Sequence, residues 1–188
     1  MSIIHMRHGE AGFKGLEELC REIIHKGDKV VEIGCYRGES SKIIARYAGK
    51  LFCIDPWKDG LIETGSATNS RFQYQEMAKV EALFDSALAQ KPNVIKIRGD
   101  SNDLVEVFGN CLVSFVYIDS LHAYETVHND ICRWWPKIVQ GGHMGGHNYS
   151  AWWPGVVRAV REAFGKPDKL YRDSSWVVRK RPGRECLH

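Results

Sequence analysis

The chain has 188 residues, 44% of them apolar and 26% charged, and 26 basic against 23 acidic residues give a net charge of +3. That length and apolar content fit one domain with a sizeable core and exclude a disordered chain. The mild, interspersed charge argues against a nucleic-acid partner, and no apolar run approaches the roughly 20 residues of a membrane span.

No basic-then-apolar leader opens the chain. Its six cysteines (Cys20, Cys35, Cys53, Cys111, Cys132 and Cys186) are scattered without a CxxC pair. Both features point to free thiols in a cytoplasmic protein. Residues 1–188 read as a single domain, with an N-terminal extension over 1–14 and a tail over 181–188. Arg179, Lys180, Arg181 and Arg184 read as a solvated basic end.

In chain order, 29–34 (KVVEIG) has the β-branched character of a buried strand and 39–48 that of a helix. A second strand over 50–55 (KLFCID) ends on an acid, and 71–90 reads as one long helix. A third strand covers 93–98, a short helix 102–108 and a fourth strand 113–119. Val127, Ile131 and Trp134 recur at i, i+4 and i+7, which predicts a helix over 123–137. A fifth strand lies within 138–147, a helix over 154–164, and two last strands over 168–172 and 175–180. Strands alternating with helices imply a parallel sheet covered on both faces, with ligands bound beyond the carboxyl ends of the strands.

Glu32-x-Gly34-x-x-x-Gly38 stands where the first strand turns into its helix. Glycines there let the backbone turn tightly and approach a ligand. Cys35-Tyr36-Arg37 replaces the middle glycine of a dinucleotide fingerprint, so the pattern alone reads equally as a tight turn. Asp55 follows Gly38 by 17 residues, close to the spacing of about 20 at which an acid meets ribose hydroxyls. Trp57 is either a ring for an adenine or a packed loop aromatic. Asp100 and Ser101 either meet an adenine or cap the next helix.

In this order the motifs resemble class I S-adenosylmethionine-dependent methyltransferases. Within that class they are similar to a small, methyltransferase family 24-like group with D-x-x-H-x-Y and a later G-G-x-x-x-G-H-D-Y. Here these read Asp119-Ser120-Leu121-His122-Ala123-Tyr124 and Gly141-Gly142-His143-Met144-Gly145-Gly146-His147-Asn148-Tyr149. The resemblance runs from about residue 15 to 180 and includes Ser174-Ser175-Trp176-Val177-Val178. It implies an α/β, Rossmann-like, doubly wound, seven-stranded and mostly parallel sheet whose last strand is antiparallel. It implies S-adenosyl-L-methionine as cofactor, with Glu32, Gly34 and Gly38 at its methionine end and Asp55 at its ribose. Asp100 and Ser101 fall at the adenine, and Cys35, Trp57 and Asp119 complete the cofactor set.

Methyl transfer from a sulfonium is an in-line displacement, and a hydroxyl acceptor must also lose its proton. His122, one turn after Asp119, has the pKa range of a base, or else packs on the helix it precedes. Asp119 can orient it, bind substrate or hold a divalent ion. His147 and Asn148 reach the acceptor side from the fifth strand. Tyr124 reads as packing, Asp130 as a solvated or capping group, and Trp134-Trp135-Pro136 as helix-end packing. Some related O-methyltransferases hold Mg²⁺ between strand-end carboxylates. Asn148 stands here where the motif carries an aspartate; its neutral amide is a weaker Mg²⁺ ligand than a carboxylate, so a divalent metal (Mg²⁺) remains an alternative but is not favoured. His143 and His147 on one strand lie roughly 13 Å apart, too far to share an ion. Residues 58–70 are the candidate lid, and Trp152-Trp153-Pro154 is either an acceptor wall or helix-start packing.

Arg7-His8-Gly9-Glu10, after the apolar Ile3-Ile4-His5-Met6, resembles the histidine phosphatase signature, with His147 as its second histidine. No second phosphatase motif follows the first helix. An NAD-dependent enzyme and a non-catalytic cofactor-binding module are further alternatives. The expected function is methylation, at oxygen, of a small-molecule acceptor such as a sugar or polyketide-type hydroxyl. No membrane partner is expected, and a homo-oligomer is left open.

Overall fold

Apolar β-branched segments alternating with amphipathic helices build a central sheet in the computed structural model, which describes residues 12–64, 71–110 and 112–183. For 60–64 and 71–75 only the backbone is described. The chain runs α1 (Lys14–Ile23), β1 (Lys29–Ile33), α2 (Glu39–Ile44), β2 (Lys50–Asp55), then a hairpin of β3 (Gly60–Thr64) and β4 (Arg71–Gln75). It continues with α3 (Met77–Leu88), β5 (Val94–Arg98), α4 (Ser101–Leu104), β6 (Val113–Ile118) and α5 (Tyr124–Trp134). The last elements are β7 (Ile138–Gly146), α6 (Pro154–Phe164), β8 (Lys169–Leu170) and β9 (Trp176–Arg179). The main sheet has seven strands in the order β5-β2-β1-β6-β7-β9-β8. β5 through β7 pair in parallel, and β9 joins β7 antiparallel.

Alternation along each strand splits the core in two. Val31 and Ile33 of β1 and Val116 and Ile118 of β6 face α5 and α6, packing with Val127, Ile131, Trp134, Val156 and Val160. Val30, Phe115 and Tyr117 face the other way, against Leu16 and Leu19 of α1, Ile44 of α2 and Phe84 of α3. Glu32 lies on that second face, two residues on from Val30 along the strand. The expected helix-end packing of Trp134 and Trp135 is present, with both rings almost wholly buried. No described helix is long and apolar enough to cross a membrane.

Four features differ from the sequence-based expectations. Residues 71–75 are a strand, not the start of the long helix; Phe72 and Tyr74 alternate with polar residues, and α3 begins only at Met77. Residues 60–64 of the candidate lid pair antiparallel with that strand, and 65–70 lie outside the described residues. The helix α1 was not expected, although Leu16, Leu19, Cys20 and Ile23 carry its i, i+3, i+4, i+7 spacing. Lys180 is not solvated: it is 6% exposed, and its Nζ donates to the carbonyls of Trp135 and Ile138 at 2.8 and 2.9 Å. The Arg7-His8-Gly9-Glu10 segment lies outside the described residues.

The parallel ladder continues one step past the strand ends. Gly34 N donates to Ile54 O at 2.9 Å, Asp119 N to Ile33 O at 2.8 Å, and His147 N to Ile118 O at 3.1 Å. Gly34, Asp55, Asp119 and His147 therefore stand side by side at the carboxyl edge. The chain reverses its order there, between β1 and β6, which is where open α/β sheets bind ligands.

Candidate active site

The β1–α2 turn is built from left-handed backbone: φ is 84° at Gly34, 47° at Tyr36 and 81° at Gly38. Gly34 owes its identity to a neighbouring strand. A Cβ there would sit 2.3 Å from the carbonyl oxygen of Asp119. Asp55 staples this turn from β2. Its Oδ2 accepts from Cys35 N and Tyr36 N, both at 3.0 Å, and its Oδ1 accepts from Trp57 N at 2.8 Å. Burial pushes the Asp55 carboxyl up, and the three N–H donors oppose that rise.

Several residues expected around the cofactor sit behind this surface. Glu32 is 0% exposed and accepts from Ser41 Oγ beneath α2, so no ligand reaches it in this conformation. Cys35 is 2% exposed and Trp57 1% exposed. The Trp57 ring lies 4.9 Å from that of Phe84 with Lys96 Nζ 5.0 Å from its centroid, and Nε1 donates to Tyr36 O. It is the packed loop aromatic, with no face open to an adenine. Asp100 is exposed and caps α4 through Asn102 N at 2.8 Å. The cap the sequence left open is therefore Asp100's; Ser101, the first residue of α4, donates its hydroxyl to Asp130 instead.

Asp130 is a correction. It is 0% exposed rather than solvated, and it accepts from Ser101 Oγ and from Ser120 Oγ. It thereby ties the end of β5 to the end of β6. Burial lifts its carboxyl to about 6, against the pull of the two serines. Its position was readable: Asp130 lies three residues after Val127 and four before Trp134, on the buried face of α5.

Glu32 carries a larger shift. Burial raises it from 4.5 to about 7, and the charge of Asp119 adds to that, while Ser40, Ser41 and Cys35 oppose it. Cys35 and Cys53, whose sulfurs lie with a Glu32 oxygen inside 4.8 Å, are also pushed up, Cys35 by burial, and Cys53 because the lowering pull of the Cys35 hydrogen bond is outweighed by burial and the Glu32 charge. Between pH 4.5 and 7 the unfolded chain ionises Glu32 while the fold keeps it protonated, so stability falls as pH rises through that window and levels off above it. The loss amounts to about 3 kcal/mol at most. Glu32→Gln should remove this share of the slope. Urea unfolding of both proteins at pH 5 and pH 8 tests it, and parallel losses in the two would refute the buried-acid assignment.

At the tips of β6 and β7 the expected reaction residues come together. Asp119 Oδ1 lies 3.8 Å from His122 Nε2 and 3.7 Å from His147 Nδ1, and the Asp119 side chain is 6% exposed. His122 Nε2 has no hydrogen-bond partner among the described residues. The His122 ring lies 4.2 Å from that of Trp153, the residue before α6. Trp153 thus starts the helix, one of the two readings the sequence left open, and its ring packs against that of His122. Its neighbour Trp152 is 64% exposed. Asn148, 8% exposed, turns the chain out of β7 with φ 61°, a left-handed conformation that asparagine tolerates. One carboxylate between two imidazoles is a poor match for the all-oxygen shell of Mg²⁺.

One contact has no counterpart in the sequence reading. His147 Nε2 donates to the main-chain carbonyl of Asp173 at 2.7 Å, from the turn between β8 and β9. A carbonyl only accepts, so Nε2 carries the proton and Nδ1 faces Asp119.

A methyltransferase-domain family model matches residues 31–149. No curated protein sequence matches. Among solved structures, CalS11, a calicheamicin methyltransferase, superposes with a TM-score of 0.65 at 16% identity, covering 92% of this chain and 80% of that one. An rRNA methylase from Streptococcus thermophilus gives 0.60 at 14% identity, with both chains covered in full. The YcgJ protein of Bacillus subtilis gives 0.50 at 15% identity over 70% of this chain, which spans 49% of YcgJ.

Proposed function

Because this chain belongs to the methyltransferase-domain family, we propose that its S-adenosylmethionine-dependent reaction delivers the methyl group to a hydroxyl oxygen of a small-molecule acceptor. The observation that carries the reading is the Asp119 carboxylate set between His122 and His147 at the strand tips. The cofactor supplies an electrophilic methyl on a cationic sulfur. Asp55 suits its ribose: backbone N–H groups take both acceptor sites of Oδ2 and one of Oδ1, and the remaining Oδ1 lone pair suits a ribose hydroxyl. A hydroxyl oxygen within hydrogen-bond reach of both His122 Nε2 and Asp119 Oδ1 is held for in-line attack. His122 takes its proton, and Asp119 offsets the imidazolium charge that forms. His147 and Asn148 bound the acceptor side, and Trp153 shields the base from water.

Among the relatives of this fold, CalS11 is a TDP-rhamnose 3'-O-methyltransferase, which favours a sugar hydroxyl as acceptor. The Streptococcus thermophilus rRNA methylase makes RNA the arm to test against it. Family membership leaves the phosphatase reading without support.

Calorimetry with S-adenosylhomocysteine, followed by labelled methyl transfer to panels of sugar nucleotides and of RNA, tests the proposal. The wild type should bind, and transfer should appear on the sugar panel. Asp55→Ala leaves three N–H groups without their acceptor, at about 1–3 kcal/mol each, and should weaken binding at least about tenfold. A wild type that does not bind overturns the cofactor reading. Unchanged affinity in a folded Asp55→Ala rejects the ribose role. Binding without transfer to any acceptor makes the chain a binding module, and transfer to RNA alone replaces the small-molecule acceptor.

A further inference from the structure

The group that sets the orientation of His147 lies outside every motif of the sequence. Asp173 sits in the turn between β8 and β9, and its own carbonyl takes the Nε2 proton of His147 at 2.7 Å. Its carboxylate is committed elsewhere. Oδ2 accepts from Leu16 N at 2.6 Å, across 157 residues of chain, and Oδ1 accepts from Ser175 N at 3.0 Å. Leu16 is in the first turn of α1, whose own N-cap residue, Phe13, provides no side-chain cap. Asp173 therefore caps that helix from the far end of the sequence, in the favourable sense for a carboxylate at a helix N-terminus. Gly15 makes the approach close: a Cβ there would stand 2.0 Å from Asp173 Oδ1. The turn is fixed on its other sides by Tyr149 N on Ser174 O at 3.0 Å and by Tyr171 N on Ser175 O at 2.8 Å.

We propose that Asp173 is a positioning residue for methyl transfer: by clamping the β8–β9 turn to α1 it holds its carbonyl on His147 Nε2, which keeps the proton on Nε2 and the ring in one orientation beside Asp119. This rests on the reading of Asp119, His122 and His147 as the reaction centre. The physical logic is that of a histidine whose second nitrogen is fixed by a backbone acceptor. Without that carbonyl the proton can move to Nδ1, where the Asp119 carboxylate lies 3.7 Å away to accept it, and the tautomer changes. The histidine then no longer shapes the acceptor side of the site, while the cofactor side, held by Asp55 and the β1–α2 turn, stays as it was.

The test uses two substitutions that leave both histidines in place. Asp173→Asn keeps one side-chain oxygen for the local bond to Ser175 N and brings an amine against Leu16 N. Gly15→Ala improves the helix propensity of α1 yet displaces the Asp173 carboxylate. Ring-nitrogen NMR of ¹⁵N-histidine protein, with S-adenosylhomocysteine added, reads the His147 tautomer directly. The wild type should show a single Nε2–H form. Both variants should show mixed or flipped forms, with kcat reduced about tenfold and S-adenosylhomocysteine affinity unchanged, the level expected for loss of an outer partner. A wild-type His147 protonated on Nδ1 alone, or a single Nε2–H form retained in both folded variants, overturns the proposal. So does a loss that only tracks the fraction of folded protein. The tautomer is read without turnover, so it stands even where the acceptor assay gives nothing. Failure of the wild type to bind S-adenosylhomocysteine is a failure of the functional reading instead.

Discussion

Asp119→Asn should lower turnover by about 10²–10⁴-fold without a comparable loss of S-adenosylhomocysteine affinity. The substitution keeps shape and removes charge. The backbone of Asp119 is held by its own N–H on Ile33 O at 2.8 Å, so the residue stays at the strand tip. What disappears is the carboxylate that lies 3.8 Å from His122 Nε2 and 3.7 Å from His147 Nδ1. A neutral amide cannot offset an imidazolium as the acceptor proton is taken, and it can turn an N–H toward the base and block it. The cofactor retains Asp55 and the β1–α2 turn. Single-turnover methyl transfer beside calorimetry separates the two effects. Activity within about tenfold of wild type would remove the Asp119 carboxylate from the chemistry.

Gly34→Ala should be among the most damaging single-methyl changes in the chain. Its backbone is left-handed at φ 84°, and the added carbon would lie 2.3 Å from Asp119 O and 2.7 Å from Ser120 Cα. Those neighbours are main-chain atoms at the tip of β6, so relief requires moving the strand end that carries Asp119. Backbone strain of about 1–3 kcal/mol and overpacking of about 1–3 kcal/mol combine. Together they remove a large part of a typical stability of about 5–15 kcal/mol. Gly27→Ala is the matched control, since Gly27 has φ 109° but nothing within 4 Å of the added carbon. Denaturant unfolding of the two should show Gly34→Ala losing clearly more, with cofactor binding lost as well. Equal losses would show that conformation alone, and not the contact with Asp119, makes Gly34 a glycine.

The sheet was legible because its signals are local. KVVEIG, KLFCID and VSFVYID each carry a run of apolar residues that must be buried and an end residue that turns the chain. The tips of β6 and β7 were legible for the same reason, and Asp119, His122 and His147 do meet there. The sequence was less informative about which way each side chain points. Glu32 stands two residues before Gly34 and shares the Val30 face, which sends it beneath α2 instead of toward a ligand. Asp130 was read by its charge rather than by its place on the apolar stripe of α5. Trp57 follows an acid-proline pair as a ligand-stacking aromatic could, but Phe84 and Lys96 cover it, and neither contact has a local signature. The role of Asp173 is the extreme case, since its partners are 157 and 26 residues away.

That last separation orders events during biosynthesis. A growing chain can form β1, β2, β5 and β6, and with them the Asp55 staple and the tip of β6, from residues up to about Asp119. The first helix must wait for its cap until Asp173 has left the ribosome, and His147 must wait for the same residue. The Asp55 staple and the Asp173 clamp on His147 are therefore completed at different lengths of nascent chain. The β8–β9 hairpin joins the sheet through β9, which pairs with β7 over His143–Gly146, so its docking completes the end of the sheet that holds His147.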